Sequence, residues 1–336
     1  MRFLESAWYR KAGWLILLWP VAMLYRVLAS LRRKSQEAGR CPPGDKLPII
    51  VIGNISVGGT GKTPLIIGLA THLIAQGFKP GIISRGYGGK SDTYPLAVTA
   101  DSSIAQCGDE AILLAAKTEA PVVIAPDRVA ALNHLVAKED VNVIFSDDGL
   151  QHYRLPRDIE ICVVDGQRLF GNGFCLPAGP LREPISRLEE MDYVVVNGLV
   201  AEKLDSLSAA IQMELLPKYL VNLATEEKRP FGGAPFNMGT TVQAVAALGN
   251  PDRFYTLLEK LPYPLQKFSF PDHHLFTAED FAERLIDEHQ PVVMTEKDAV
   301  KCRGFARNNY WYLSTELSLP RAFLDEFTSR VRKLTE

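Results

Sequence analysis

The chain has 336 residues, enough for about two domains. Its 47% hydrophobic and 23% charged residues are ordinary globular values, which exclude a disordered, collagen-like or coiled-coil chain. The net charge of −2 excludes the overall basic balance of nucleic-acid binders, so no nucleic-acid partner is expected.

The charge is unevenly spread. Residues 1–40 carry eight basic and two acidic side chains, a net +6, and the remainder carries −8. Inside this basic arm, Ala12 to Tyr25 are 14 uncharged residues between Arg10-Lys11 and Arg26. That run falls short of the ~20 residues a spanning helix needs, and Pro20 in its middle predicts a kink. A secretory signal has the same basic start, but Leu28-Ala29-Ser30 leads straight into Arg32-Arg33-Lys34 with no cleavage site. A helix packed on its own domain is the plainer alternative. Trp8, Trp14, Trp19 and Tyr25, flanked by basic residues, favour a helix in a membrane interface. Residues 1–38 are therefore expected to form an amphipathic, membrane-associated helix.

A Gly/Pro linker follows from Gly39 to Pro48, containing Cys41-Pro42-Pro43-Gly44. Apolar runs then predict strands at Leu47–Gly53, Gly81–Ser84, Pro121–Ala125, Val141–Ser146, Ile159–Asp165 and Tyr193–Asn197. Helical stretches lie between several of them, at Lys62–Ala75, Asp109–Lys117 and Arg128–Ala137. Strands separated by helix-length segments imply a parallel sheet. The pattern breaks near Lys218 to Pro235, where Lys228–Pro235 reads as loop. A smaller α/β unit follows, with strands at Val242–Leu248 and Pro291–Thr295 and helices at Arg253–Leu261 and Ala278–Glu288. A tail helix from Arg321 to Leu334 is expected to return to the first domain. The domains are thus expected at 1–38, 39–225 and 226–319, with 320–336 packing back. The five cysteines are scattered without a C-x-x-C, which argues against a disulfide framework or a zinc site.

Residues 56–63, Ser-Val-Gly-Gly-Thr-Gly-Lys-Thr, fit a P-loop with Ser56 in place of the first glycine. An apolar strand precedes the loop and a helix follows, as the motif requires. Gly58, Gly59 and Gly61 let N–H groups of Val57 to Thr63, Thr60 among them, face phosphate oxygens. The helix beginning near Lys62 adds its positive end. Lys62 would bridge the β- and γ-phosphates, and Thr63 would hold Mg²⁺. Asp147 and Asp148 end a neighbouring apolar strand, where a carboxylate can reach that metal; an exposed Asp-Asp-Gly turn is the alternative. No N-K-x-D guanine reader occurs, since Glu296-Lys297-Asp298 lacks the intervening residue, so ATP is expected.

Polar strings stand at other strand ends, where open α/β sheets bind ligands. Arg85 lies among glycines that permit close ligand approach. Asp109 opens a helix, where the dipole alone would favour it. Arg128 could make only a surface ion pair. Gln151 and His152 follow the aspartate pair, and with Arg85 and Asn54 they are candidates for substrate contact. Tandem His273-His274 lacks the surrounding ligands of a zinc site. His72 and His134 fall within helical stretches and read as structural.

These motifs, with Ser84–Gly89, Gly108-Asp109-Glu110, Leu176–Pro184, Asp272-His273-His274 and Met294–Lys301, resemble in order the tetraacyldisaccharide 4'-kinases, the lipid A 4'-kinases of Gram-negative bacteria. The resemblance runs from the N-terminal apolar helix to about residue 302. It implies an α/β fold with a P-loop NTPase-like parallel sheet domain, a second, smaller α/β domain and the N-terminal membrane-associated helix. It also implies ATP and Mg²⁺, and a lipid A precursor as substrate at the cytoplasmic face of the inner membrane. Asp109 is implied as catalytic base, paired with His273. Asp147, Asp148 and Glu183 are implied at the metal, and Lys62 and Arg128 would neutralise charge. A monomer is expected. Two other functions compete: a membrane-associated P-loop ATPase acting as a switch or positioning factor, and a soluble small-molecule kinase. The first is disfavoured by the missing extra lysine before Gly58-Gly59, and the second by the apolar arm.

Overall fold

The computed structural model describes residues 2–40, 47–201, 204–284 and 287–336. The Cys41-Pro42-Pro43-Gly44 part of the expected linker lies outside them. The arm is not one helix. It comprises α1 (Arg2–Tyr9), a 3₁₀ turn (Gly13–Leu18) and α2 (Trp19–Ala38). Pro20 stands in the first turn of α2, where its missing N–H has no partner to lose, so it starts the helix rather than kinking it. The helical stretch Gly13–Ala38 has 26 residues and an 18-residue window of mean hydropathy 1.7. By length and composition it could cross a membrane. The 14-residue count stopped at Arg26, but Val27, Leu28 and Leu31 continue the exposed apolar face beyond it.

Three strands follow in the first unit: β1 (Ile49–Gly53), β2 (Pro80–Ser84) and β3 (Leu96–Val98). With β4 (Val122–Ile124), β5 (Val143–Asp147), β6 (Ile159–Asp165) and β7 (Tyr193–Asn197) they form one layer. Strands β7-β6-β1-β5-β2-β4 run parallel, and β3 closes that edge antiparallel. Helices α3 (Lys62–Ala75), α4 (Ile104–Cys107), α5 (Asp109–Lys117) and α6 (Arg128–Lys138) connect these strands. Leu65, Leu69 and Leu73 of α3 are fully buried on one face of the sheet. Leu135 and Ala131 of α6 are buried on the other.

The sheet does not stop at the second unit. β8 (Ile211–Asn222) pairs parallel with β7 at its start, then antiparallel with β13 (Tyr310–Ser318) and with β9 (Lys228–Pro230). From β13 the order continues through β12 (Val292–Thr295) and β10 (Val242–Ala246) to β11 (Leu265–Ser269), all parallel. Helices α7 (Asp252–Leu258), α8 (Ala278–Arg284) and α9 (Glu296–Cys302) belong to this unit. The expected break near Lys218 is thus corrected. Pro217 and the alternating exposed residues hide a long strand, and Pro217 is accommodated beside a β-bulge in which Lys218 of β8 is the extra residue between the pairs Tyr219–Ser314 and Pro217–Thr315. Part of the loop-like stretch, Lys228–Pro230, pairs as β9. The last helix, α10 (Arg321–Thr335), packs Phe323, Phe327 and Val331 into the first unit's core, and its Thr328 bonds His72 at 2.8 Å.

Candidate active site

A cleft of about 1790 Å³ runs along the C-terminal ends of the parallel strands and between the two units. β1 delivers the chain into the P-loop, and α3 starts at Lys62. The segment after β6 braces the loop: Val57 N–H donates to Pro180 O at 2.8 Å, and Ser56 bridges to Leu181. Gly58 has φ +102°, and a Cβ there would overlap the Arg168 guanidinium. Asn54, expected at the substrate, is fully buried instead. Its Nδ2 donates to Gly58 O at 3.1 Å and its Oδ1 accepts from Lys62 Nζ at 3.4 Å, so both ends of the amide hold the loop.

Asp147 and Asp148 are adjacent but sit in opposite environments. Asp147 is buried, with Oδ2 accepting from Ser84 Oγ at 2.8 Å and Oδ1 left without a partner. Burial and the neighbouring Glu110 charge push its pKa up to about 6, against the pull of Lys62. Asp148 has φ +47°, a left-handed backbone that non-glycine residues adopt at some cost. That turn aims it at Lys62 Nζ (3.3 Å) and Arg182 Nη1 (3.1 Å). Burial opposes its ionisation, but those two cations outweigh burial and hold its pKa down at about 2. Gln151 links the pair outward. It donates to Asn54 O and Glu183 Oε2, and accepts from Arg182. Glu183 also accepts from Tyr153 Oη.

Across the cleft, α5 opens at Asp109. The preceding Gly108 has φ +79°, and a Cβ there would collide with Tyr87 O. His273, also left-handed at φ +57°, places Nδ1 3.1 Å from Asp109 Oδ1. His274 instead bonds Asp280 at 3.0 Å and stacks on Phe270. Tyr87 packs against His273 with ring centroids 4.9 Å apart. Asp109 itself is buried behind His273, which lines the cleft. Lys301 Nζ lies 3.2 Å and Lys297 Nζ 3.8 Å from Asp109 Oδ2. Burial raises the Asp109 pKa, but the His273 hydrogen bond and these two cations overcome burial and hold it well below the usual carboxylate range.

The remaining expected residues divide. Arg85 and His152 line the cleft wall. Arg128 is neither a surface ion pair nor a free cation. It is buried, and its guanidinium donates to Ala125 O (3.1 Å) and Asp147 O (3.2 Å), so it braces the strand ends beneath the aspartates. Several site residues escaped the sequence reading. Asn197 Nδ2 holds Thr60 O at 2.9 Å, and Arg253 holds Asn197 Oδ1 at 2.7 Å. Arg168 touches Glu5 of α1 and Gly249 O of the second unit, at 3.2 and 3.0 Å. Lys297 and Lys301 stood within a quoted motif, but only the fold brings them to Asp109.

Residues 14–332 match the family profile described as Tetraacyldisaccharide-1-P 4'-kinase. A tetraacyldisaccharide 4'-kinase of Hahella chejuensis is 42% identical over 338 residues, covering 99% of this chain and 97% of that protein. Another, of Nitrosococcus oceani, is 46% identical over 317 residues, covering 94% and 90%. Among solved structures, LpxK from Aquifex aeolicus in complex with ATP is similar with a TM-score of 0.75 and 26% identity, over 96% of this chain and 99% of that one.

Proposed function

The chain belongs to the tetraacyldisaccharide 4'-kinase family, and from that premise we propose how its own residues carry the reaction. It is an ATP-dependent kinase that phosphorylates the 4'-hydroxyl of tetraacyldisaccharide 1-phosphate in lipid A biosynthesis. One observation carries the assignment of roles: the Asp109–His273 pair and the P-loop Lys62 line up along one cleft.

The P-loop N–H groups from Gly58 to Thr63 cradle the ATP phosphates, while that of Val57 is taken by Pro180 O, and Lys62 neutralises the charge developing between β and γ. The acceptor hydroxyl enters from the His273 side. Its oxygen bonds to the γ-phosphorus as the bond to the β–γ bridging oxygen breaks, and ADP leaves. The hydroxyl proton passes to the Asp109–His273 pair, which acts as one unit with the imidazole facing the cleft. A loose transition state needs this alignment more than a strong base, which suits a carboxylate held fully ionised. Arg85 and His152 on the wall are placed for substrate contact.

Thr63 and Asp147 would offer oxygen donors to Mg²⁺, a hard cation, whereas the expected ligands Asp148 and Glu183 are already engaged, the first by Lys62 and Arg182 and the second by Gln151 and Tyr153. The unpartnered buried Oδ1 of Asp147 is the donor this fit rests on. The ion would supply charge neutralisation on the β- and γ-phosphate oxygens.

The arm places the enzyme on its substrate. Leu17, Leu24, Val27 and Leu31 are exposed along it. Its opposite side is tied to the kinase body through Tyr25 Oη to Arg182 O (3.1 Å) and Arg33 to Glu190. A helix held along one side by protein lies in the interface rather than spanning it. The membrane is the cytoplasmic leaflet of the inner membrane, where ATP and an anionic acylated acceptor meet. Transfer of label from γ-³²P-ATP to purified tetraacyldisaccharide 1-phosphate tests the roles. Lys62→Ala is expected to lose it by about 100–1000-fold while still binding vesicles. Near-normal transfer would remove Lys62 from the mechanism.

A further inference from the structure

Asp109 is held from both sides. His273 takes one carboxylate oxygen, and the other faces α9 of the second unit. There Lys301 Nζ approaches Asp109 Oδ2 to 3.2 Å, with the two side chains only 1% and 4% exposed. The ammonium is itself anchored. It donates to Asp298 Oδ1 at 2.9 Å, and the Phe276 ring lies 5.5 Å away. Asp298 is fully buried, and its Oδ2 accepts from Thr295 Oγ at 2.7 Å and from Ala247 N–H at 3.0 Å. Thr295 in turn caps α9 by accepting from Asp298 N–H. A chain of fixed groups therefore runs from the end of β10 through Asp298 and Lys301 to Asp109.

A pair made only for α9 would close with Asp298, one helical turn away. Burying a lysine is costly unless its charge is matched. Here the match extends across the seam between the units, to the carboxylate beside the P-loop cleft.

We propose that Lys301 is a positioning residue for phosphoryl transfer, its buried ammonium fixing the charge and orientation of Asp109 from the second unit. The proposal rests on the role given above to the Asp109–His273 pair. Lys297 adds a second, more accessible cation, 3.8 Å from Asp109 Oδ2 and 2.9 Å from Glu110 Oε1. The groups facing Asp109 are His273 and Asp272 from the loop after β11, Lys297, Asp298 and Lys301 from α9, and its neighbour Glu110. Asp109 is active when ionised, and cations beside it favour that form. Removing one raises its pKa, so activity at acid pH is lost first.

The test measures kcat, KM for ATP and their pH profiles from pH 5 to 9, with the acyl disaccharide phosphate in mixed micelles. The variants are Lys301→Met, Asp298→Asn/Lys301→Met, Lys297→Gln and Asp109→Asn. The double variant removes the orphaned charge on Asp298 along with the lysine, and the amide that replaces this carboxylate can still accept from Thr295 and Ala247. It is expected to fold, to lose at least tenfold in kcat with KM for ATP within twofold, and to lose most at the acid end of the range, where burial of Asp109 is opposed by fewer cations. Lys297→Gln, which removes the other cation facing Asp109 Oδ2, is expected to move the acid limb of the profile the same way, and it decides the matter if the Lys301 variants do not fold. A double variant with unchanged kcat and limb, or a loss equal at every pH, makes Lys301 a structural brace and overturns the proposal. Wild-type activity in Asp109→Asn would instead overturn the role of Asp109 itself.

Discussion

His273 Nδ1 lies 3.1 Å from Asp109 Oδ1 although 164 residues separate them, so the proposed catalytic pair exists only when the two units meet. Asp109→Ala is expected to lower kcat by about 10²–10⁴-fold, the range of a positioned proton acceptor. His273→Ala should lose less, because Lys301 and Lys297 still hold the carboxylate. His274→Ala, whose partner is Asp280, should leave transfer near wild type. Steady-state transfer assays check the order, and a His274 loss as large as that of His273 would contradict it.

Asp147 predicts a conflict between stability and function. Its folded pKa of about 6 lies above the usual carboxylate value of ~3.9. The folded state therefore binds its proton more tightly than the unfolded chain. This destabilises the fold as pH rises from about 4 through 6, and the full penalty remains above 6. Asp147→Asn removes the penalty. In chelator-containing buffer it should be more stable than wild type at pH 7, by up to about 3 kcal/mol, and no more stable at pH 4. Its transfer activity should be lost. Denaturant unfolding across that pH range decides, and a gain independent of pH would refute the cause.

The arm can be tested without disturbing the kinase body. Leu17 is 77% exposed and Leu24 59%, so their replacement by glutamate removes no internal packing. Each change forfeits about 1.5–3 kcal/mol of apolar burial in a bilayer. Leu17→Glu/Leu24→Glu should weaken vesicle sedimentation by well over tenfold while the unfolding midpoint stays put. Unchanged vesicle binding would place the membrane contact elsewhere.

The C-terminal helix is expected to support the nucleotide site from behind. Phe327 of α10 is fully buried in the cluster that contains Leu65 and Leu69 of the P-loop helix. Phe327→Ala should cost about 3–5 kcal/mol in chemical denaturation. A cost under about 1 kcal/mol would show that α10 is only loosely attached.

What the sequence disclosed follows the range of the interactions. The P-loop was legible because strand, glycines, lysine and helix are contiguous, and strands β6 and β7 have the boundaries their apolar runs predict. The left-handed turn at Asp148 and the buried state of Asp147 were not legible, since adjacent aspartates look alike until a sheet buries one. Arg128 reads in the sequence as an available cation at a strand end; in the fold it lines the cleft, and two backbone carbonyls fix its guanidinium there. β8 was masked by Pro217, whose place in a strand goes with a bulge at the neighbouring Lys218 that forms only against β13, about a hundred residues later. Asp109 and His273 were joined only through family resemblance, and Lys301 only by the packing of α9 on α5.

The attachment of the arm has a further consequence. Glu5 bonds Arg168, which lies under the P-loop glycine Gly58, and Tyr25 bonds the carbonyl of Arg182, whose side chain holds Asp148. In the proposed membrane-bound state the catalytic groups therefore have a set working height above the leaflet, fixed by a rigid mount rather than a tether. The acceptor sugar must stand at that height to be phosphorylated. Acyl chains that sink the headgroup deeper would slow the reaction without altering a single contact to ATP.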